Sequence, residues 1–216
     1  TFYQMVSSSS PIEIVSVNLR KTGAKKACTG ERIISPYKIF ELGSEQGAKV
    51  RVAVIGISIQ DLQMESYTPI NGVCFLDPVA DVINIYDELM RTEHPDILIG
   101  LSHSGLGEDL RIAEELNKAG KPLDIIIGGH SHSWIDEAQQ VGDTTIVTVG
   151  ELGRAVGVFD LLYDRAKSKL DIQWRQEIFS FCSPEDPDTL AFLQDTIPAG
   201  NPKKECVDAR NPAFDY

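Results

Sequence analysis

The sequence predicts an α/β protein, because strand-like and helix-like segments alternate in its central part. Two continuous apolar runs, at residues 97–101 and 125–128, are typical of strands covered on both faces of a parallel sheet. Between them, residues 106–116 place leucine and alanine at helical spacing. A strand, a crossover helix and a second strand form a βαβ unit, which implies that the two strands are parallel. The length of 216 residues indicates one main domain.

The segments before this unit read as strands followed by a helix. Val- and Ile-rich or alternating apolar patterns mark the strands. Apolar residues recur at helical spacing from Val79 to Met90, with Asp77 suited to cap the helix and Pro78 to open it. A basic stretch at residues 20–32 is more typical of a solvated loop than of an anion site. The predicted strands here are 12–19, 37–43 and 49–58.

Downstream of the βαβ unit we expect three strands joined by short turns in antiparallel order, at residues 144–151, 155–164 and 169–178. From Ser183 the chain becomes rich in proline and holds one short helix candidate, residues 187–195. We therefore expect a main domain at residues 1–182 and a linker or tail at 183–216.

Composition excludes several classes of function. The net charge of −12 gives no electrostatic attraction to nucleic acid or anionic lipid. No segment approaches the roughly 20 apolar residues of a membrane span, and the first residues show no basic-then-apolar signal pattern. The four cysteines form no C-x-x-C pair, so they are either reduced thiols or one or two disulfides. One candidate disulfide joins Cys182 to Cys206 and would cross-link the tail.

Three of the four histidines follow the two buried strands of the βαβ unit. His103 ends the first strand, and His130 and His132 follow the second after Gly128 and Gly129. The carboxyl ends of parallel strands meet at one edge of a sheet, where ligand sites of open α/β sheets lie. Imidazole is the commonest metal ligand, and residues two apart in extended chain point to the same side. The pattern favours a metal site over three hydrogen-bonded loop residues.

The sequence does not contain the motifs of a serine hydrolase or of a dinucleotide-binding protein. The nucleophile elbow G-x-S-x-G fails at both near matches, Gly100 to Ser104 and Gly129 to Ser133, because serine replaces the last glycine. No G-x-G-x-x-G follows a strand, so dinucleotide binding has no support. Asp109, near the start of its helix, is expected to be a surface acid favoured by the helix dipole. His94 receives no role.

The segments "LIGLSHSG", "EDLRIAEEL" and "DIIIGGHSH" resemble the calcineurin-like metallophosphoesterases, specifically the bacterial 5'-nucleotidase and UDP-sugar hydrolase branch. The resemblance extends over roughly residues 12–165, through "ISPYKIFELG", "VRVAVIGIS" and "VTVGELGRAVGVFDLLYD". It implies a four-layer α/β/β/α sandwich with a two-metal site at one edge of its sheets. By the same resemblance, His103 and His130 are ligands of one metal and His132 is a ligand of the other.

The chain also departs from the family pattern. Family members carry Asp-x-His, Gly-Asp and Gly-Asn-His-Asp/Glu motifs earlier in the chain, which supply the remaining ligands and the histidine that protonates the leaving group. This sequence has no Asp-x-His, no Gly-Asn-His and no histidine before His94. We therefore expect the later part of the catalytic domain, with the proton-donor histidine upstream of residue 1 and without the family's C-terminal nucleotide-binding domain.

The resemblance implies a two-metal phosphoester hydrolase acting on a phosphorylated small molecule such as a nucleotide. Its divalent ions are Zn, Mn, Mg or Fe, and its location is periplasmic or secreted. The chain alone is expected to be inactive, and to pair with the missing first half, with a nucleotide-binding domain or with itself. Two alternatives stay open: a non-catalytic interaction module derived from that fold, and a structural zinc site on the three histidines.

Overall fold

The computed structural model describes residues 13–22, 28, 30–43, 47–60, 72–179, 186–189 and 191. Two long helices and ten strands lie within them, and residues 187–189 and 191, in the predicted helix 187–195, are also helical. No helix among the described residues is long and apolar enough to cross a membrane. In chain order the two long helices and the strands are β1 (Leu19–Lys21), β2 (Tyr37–Leu42), β3 (Val50–Ser58), β4 (Val73–Phe75), α1 (Pro78–Glu93), β5 (Ile97–His103), α2 (Leu106–Lys118), β6 (Ile125–Ile127), β7 (Gln139–Val141), β8 (Thr144–Val147), β9 (Ala155–Asp164) and β10 (Lys169–Ile178).

The largest sheet has six strands in the order β2-β3-β5-β6-β8-β7. Its four central strands are mutually parallel, and the edge strands β2 and β7 run antiparallel to their neighbours. Strands β5 and β6 are adjacent and parallel with α2 between them, which confirms the predicted βαβ unit and the α/β class. Strands β1 and β4 form a separate antiparallel pair, as do β9 and β10.

One face of this sheet packs against both helices. Side chains from alternate positions of β3, β5, β6 and β8 meet the apolar stripes of α1 and α2, so the central core lies between a helix layer and a sheet layer of the expected sandwich. Asp77 caps α1, where its carboxylate accepts the Val79 N–H at 2.9 Å, and Pro78 opens the helix as predicted. Core residues include Ala53, Ile55, Val82, Leu89, Leu98, Ile112, Leu116, Ile126 and Ile146.

Two aspartates fix the starts of neighbouring parallel strands in the same way. The Asp96 carboxylate accepts the Arg51 N–H at 2.8 Å, and the Asp96 N–H donates to the Arg51 carbonyl at 2.7 Å. Asp124 binds Leu98 in the same way: its carboxylate accepts the Leu98 N–H at 2.7 Å, and its N–H donates to the Leu98 carbonyl at 3.0 Å. Because these bonds anchor the amino ends of β5 and β6, they help set where each strand ends and therefore where the histidines emerge.

Several predicted elements were wrong in extent or pairing. The first strand covers residues 19–21 rather than 12–19 and pairs with β4, a three-residue strand that the sequence pattern did not reveal. The segment 144–151 is not the first of three antiparallel strands. Its strand, Thr144–Val147, is buried throughout and runs parallel to β6, while the unpredicted β7 pairs with its other side. The hairpin of β9 and β10 is confirmed.

The stretch expected to be a solvated basic loop starts with a buried cation. Arg20 is 8% exposed, forms an ion pair with Asp81 in α1 and donates to the Val17 carbonyl at 2.8 Å. A disulfide joins Cys28 to Cys74, across 46 residues of sequence. The candidate pair Cys182 and Cys206 lies outside the described residues.

Candidate functional site

The carboxyl edge of the parallel strands brings His103 and His130 together. His103 is the last residue of β5, and His130 stands three residues after the end of β6. Their ring centroids are 5.2 Å apart and the rings are inclined at 64°. The predicted convergence of the two loops on one edge therefore holds for this pair.

Glycines allow the two histidine loops to approach each other. A Cβ on Gly129 would lie 3.4 Å from His103 Nδ1, which is close van der Waals contact. Gly105, which follows β5, has φ of +93°, a conformation that L side chains rarely adopt. A Cβ at that position would lie 3.6 Å from His130 Cδ2. The sequence after each strand thus keeps space for both rings.

His132 takes a different neighbour from His130. His132 Nδ1 lies 2.6 Å from Glu151 Oε2, and the His132 side chain is 61% exposed. We expected His130 and His132 to point to the same side of an extended chain. They do not, because both residues have left-handed backbones, with φ of 72° at His130 and 52° at His132. The H-x-H stretch therefore directs one ring toward His103 and the other toward the loop after β8.

Glu151 is a site residue that the sequence reasoning missed. It stands four residues after β8, at the same carboxyl edge as the histidines, and its second oxygen lies 3.7 Å from Arg154. A carboxylate on Nδ1 fixes the tautomer and orientation of an imidazole and leaves Nε2 as the metal-binding atom. The rule that places the histidines also applies to Glu151, because β8 runs parallel to β6 and ends at the same edge. The expectation of an antiparallel β8 hid this.

Serines connect the loops to one another. Ser131, between the two histidines, accepts the Leu106 N–H at 3.0 Å and so caps the first turn of α2, whose own N-cap residue is Gly105. Ser131 Oγ also lies 2.8 Å from Ser133 Oγ. The loop after β6 is therefore attached to the helix that follows β5, which couples the positions of His103 and His130.

Asp109 lies beneath these loops rather than on the surface, so its prediction as a surface acid was wrong. It is 0% exposed, and its Oδ1 accepts the Ser102 hydroxyl at 2.5 Å. Burial raises the pKa of Asp109 to about 6, and the Ser102 hydrogen bond opposes that rise. The first turn of α2 faces the sheet at this position, which a dipole argument from sequence does not reveal.

The surroundings of His103 favour its neutral imidazole. Burial lowers the pKa of His103, and the neighbouring His130 and His132 lower it further. A metal-binding histidine must be unprotonated, so this environment suits a ligand. His94, the fourth histidine, is the left-handed C-cap of α1 and precedes β5, at the opposite end of that strand from His103.

As possible ligands of a divalent ion, His103 and His130 form a pair and His132 stands apart. In the part of the chain that the structure describes, no three His, Cys, Asp or Glu side chains are grouped closely enough to hold one ion. His103 and His130 are near enough to supply two nitrogens to the same ion, at the usual 2.0–2.1 Å for zinc. The assignment of His103 and His130 to one metal and of His132 to another stays a prediction.

The chain is similar to curated bacterial 5'-nucleotidases. It shares 31% identity over 160 residues with the 5'-nucleotidase of Vibrio parahaemolyticus, which covers 61% of this chain and 27% of that protein. With the 5'-nucleotidase of Vibrio vulnificus it shares 30% identity over 210 residues, covering 77% of this chain and 37% of the relative. The chain thus spans less than two fifths of the length of either relative. No family model matches it.

The fold also has solved counterparts. The crystal structure of the calcineurin-like phosphoesterase YfkN from Bacillus subtilis superposes with a TM-score of 0.65 at 22% identity. The match covers 86% of this chain and 62% of that one, so nearly the whole α/β arrangement described above is shared. The chain is thus similar in sequence to the 5'-nucleotidases and shares the fold of the calcineurin-like phosphoesterase YfkN.

Proposed function

We propose that this chain supplies part of a two-metal active site that hydrolyses a phosphate monoester, with a nucleotide as the substrate class. The observation that carries the proposal is the His103–His130 pair at the carboxyl edge of the parallel strands, 5.2 Å between ring centroids. His132 stands on the same loop, oriented by Glu151. The 5'-nucleotidase names of the curated relatives support the choice of substrate.

Each residue has a definite task in this proposal. His103 and His130 hold one ion and His132 holds the other. Glu151 accepts the Nδ1–H of His132, which fixes the tautomer and directs Nε2 outward. Divalent ions in such sites lower the pKa of a bound water and polarise the phosphoryl group. Desolvation and the neighbouring histidines lower the pKa of His103, which favours the unprotonated imidazole that a metal needs.

The 216-residue chain alone is expected to bind metal weakly and to turn over little. Its sequence has no Asp-x-His and no Gly-Asn-His motif, which in the family supply further ligands and the proton donor for the leaving group. Three imidazoles without a bridging carboxylate give a weaker site than the full set. Partners that would complete the site are the domain part carrying those motifs, a nucleotide-binding domain or a second copy.

The disulfide supports an extracytoplasmic location. Cys28 and Cys74 are bonded in this structure, and disulfides persist in oxidising compartments such as the periplasm or the outside of the cell. We therefore propose a periplasmic or secreted protein, with residues 1–182 as the main domain and 183–216 as its linker or tail.

Two measurements on the 216-residue chain test the proposal. Mn²⁺ binding is measured by calorimetry on the wild type, on a His103→Ala/His130→Ala variant and on His94→Ala as the matched control. We expect binding in the wild type and the control, and a loss of at least tenfold in affinity in the double variant. Equal binding by all three proteins would contradict the metal site.

Hydrolysis of AMP and of p-nitrophenyl phosphate is measured on the same proteins with added Mn²⁺. We expect the wild-type rate to stay near that of the His103→Ala/His130→Ala variant. Robust turnover that the double variant abolishes would support the hydrolase assignment and overturn the proposal that the chain alone is inactive. Robust turnover that survives in the double variant would contradict the assignment of the histidines.

A further inference from the structure

A buried carboxyl group lies between the two strands that carry the histidine pair. Asp109 belongs to the first turn of α2 and is fully buried. Its Oδ1 accepts the hydroxyl hydrogen of Ser102 at 2.5 Å, and Ser102 directly precedes His103 in β5. The carboxyl group is therefore attached to the strand end that positions the first imidazole.

The other oxygen of the same carboxyl group faces the second histidine loop. A Cβ built on Gly128 would lie 2.4 Å from Asp109 Oδ2, and Gly128 stands two residues before His130. The Gly128 N–H donates to the Val147 carbonyl at 2.8 Å, so this backbone is itself held to β8. Asp109 Oδ2 is buried and has no hydrogen-bond partner among the described residues. Nothing in the proposed hydrolysis uses this group.

We propose that Asp109 is a positioning residue that sets the spacing of the two histidine loops by fitting between Ser102 and the bare backbone of Gly128. The carboxyl group holds the end of β5 through a hydrogen bond and holds the loop after β6 through close packing. The separation of the His103 and His130 rings then depends on a residue that contacts neither ring. The metal-binding consequence rests on the proposed function, whereas the ring separation does not.

A merely structural role for Asp109 would stabilise the domain without affecting the rings. The two roles separate in a series of variants of the full 216-residue chain. Gly128→Ala places a methyl group against the carboxyl group, where something must shift, because the new Cβ would lie 2.4 Å from Asp109 Oδ2. Gly107→Ala is the matched control, since the same methyl group there meets nothing within 4 Å. Asp109→Ala removes the carboxyl group, and Asp109→Ala/Gly128→Ala removes the clash.

Two readouts are taken on each folded variant, with the thermal midpoint as a separate measure of stability. The first is the NMR nuclear Overhauser effect between the rings of His103 and His130 without metal. The second is Co²⁺ affinity from its absorption spectrum. We expect Gly128→Ala and Asp109→Ala each to lose the ring-to-ring effect and about tenfold in Co²⁺ affinity, as for other outer-shell changes, while Gly107→Ala stays within about twofold of wild type.

The double variant measures the coupling between the two positions. If the carboxyl group and the Gly128 backbone fit each other, the double variant is no worse than Asp109→Ala alone, so the losses do not add. Additive losses, or a Gly128→Ala variant that behaves like Gly107→Ala, would overturn the proposal. A wild type that binds no Co²⁺ would contradict the proposed function, and the ring-to-ring effect would still decide the role of Asp109.

Discussion

Replacing Asp109 by asparagine should flatten part of the dependence of stability on pH. The folded-state pKa of Asp109 is about 6, against 3.8 for an unburied carboxyl group. Between these values the folded protein binds more protons at this site than the unfolded chain does. Its stability therefore falls as the pH rises through this window, and the full loss is present above pH 6. The amide side chain of the Asp109→Asn variant does not ionise, so its contribution stays constant.

The size of the effect follows from the two pKa values. One pKa unit corresponds to about 1.36 kcal/mol, so ionising Asp109 makes the folded state about 3 kcal/mol less stable at neutral pH than it is below pH 3.8. For a domain of 150–250 residues, 1 kcal/mol moves the melting temperature by about 2–4 °C. Because about 0.5 kcal/mol of this loss is already present at pH 4, the melting temperature of Asp109→Asn relative to wild type should rise by roughly 5–10 °C between pH 4 and pH 7.5.

Circular dichroism melts from pH 4 to 7.5 measure this difference in metal-free buffer. Asp160→Asn serves as the matched control, because the Asp160 side chain is 70% exposed and pairs only at the surface with Arg175. We expect the difference between wild type and Asp109→Asn to grow mainly between pH 4 and 6 and to level off above pH 6, while the control difference stays nearly constant. A constant difference for Asp109→Asn would refute the account of its burial.

Two further predictions concern the core and the disulfide. Leu116→Ala, at a fully buried position on the sheet-facing side of α2, should lower the free energy of unfolding by about 2–5 kcal/mol in a urea titration. Leu162→Ala, 72% exposed on β9, should change it by less than about 0.5 kcal/mol, and equal losses would contradict the assigned core. Replacing Cys28 and Cys74 by alanine should cost about 4 kcal/mol for the 46-residue loop, measured in the same titration. Added reductant should reproduce that loss in the wild type, and a wild type whose stability reductant leaves unchanged would contradict the pairing.

The parallel core and the histidine pair were predictable because both depend on patterns that are local in sequence. Continuous apolar runs indicate strands covered on both faces, and the βαβ rule places the residues that follow them at one edge. That reasoning was enough to bring His103 and His130 together. It also located the cap of α1 at Asp77, where the carboxylate reaches the Val79 N–H.

The remaining features depend on contacts distant in sequence. Glu151 reaches His132 because β8 joins the parallel sheet beside β6, a pairing that the local sequence of β8 does not reveal. Asp109 is buried because its side of α2 faces the sheet over Gly128, so its position near a helix start was misleading. The left-handed backbones at His130 and His132 belong to a loop shaped by its neighbours.

Sequence also left the ends of the sheet undetermined. The strands β1, β4 and β7 have three residues each, too few for a periodic pattern to stand out. The burial of Arg20 follows from its pairing with Asp81, 61 residues later. Cys28 and Cys74 are likewise joined across a long loop, and four cysteines allow three full pairings that spacing alone does not separate.

The most direct test of the account uses the paramagnetism of Mn²⁺ on the histidine signals. The 216-residue chain, labelled with ¹⁵N in its four histidines, is titrated with substoichiometric Mn²⁺ and its imidazole resonances are followed by NMR. The account predicts that His103 and His130 broaden together, that His132 also broadens, and that His94 at the far end of β5 remains sharp. Equal broadening of all four signals, or broadening of His94 alone, would contradict a metal site at the carboxyl edge of the sheet.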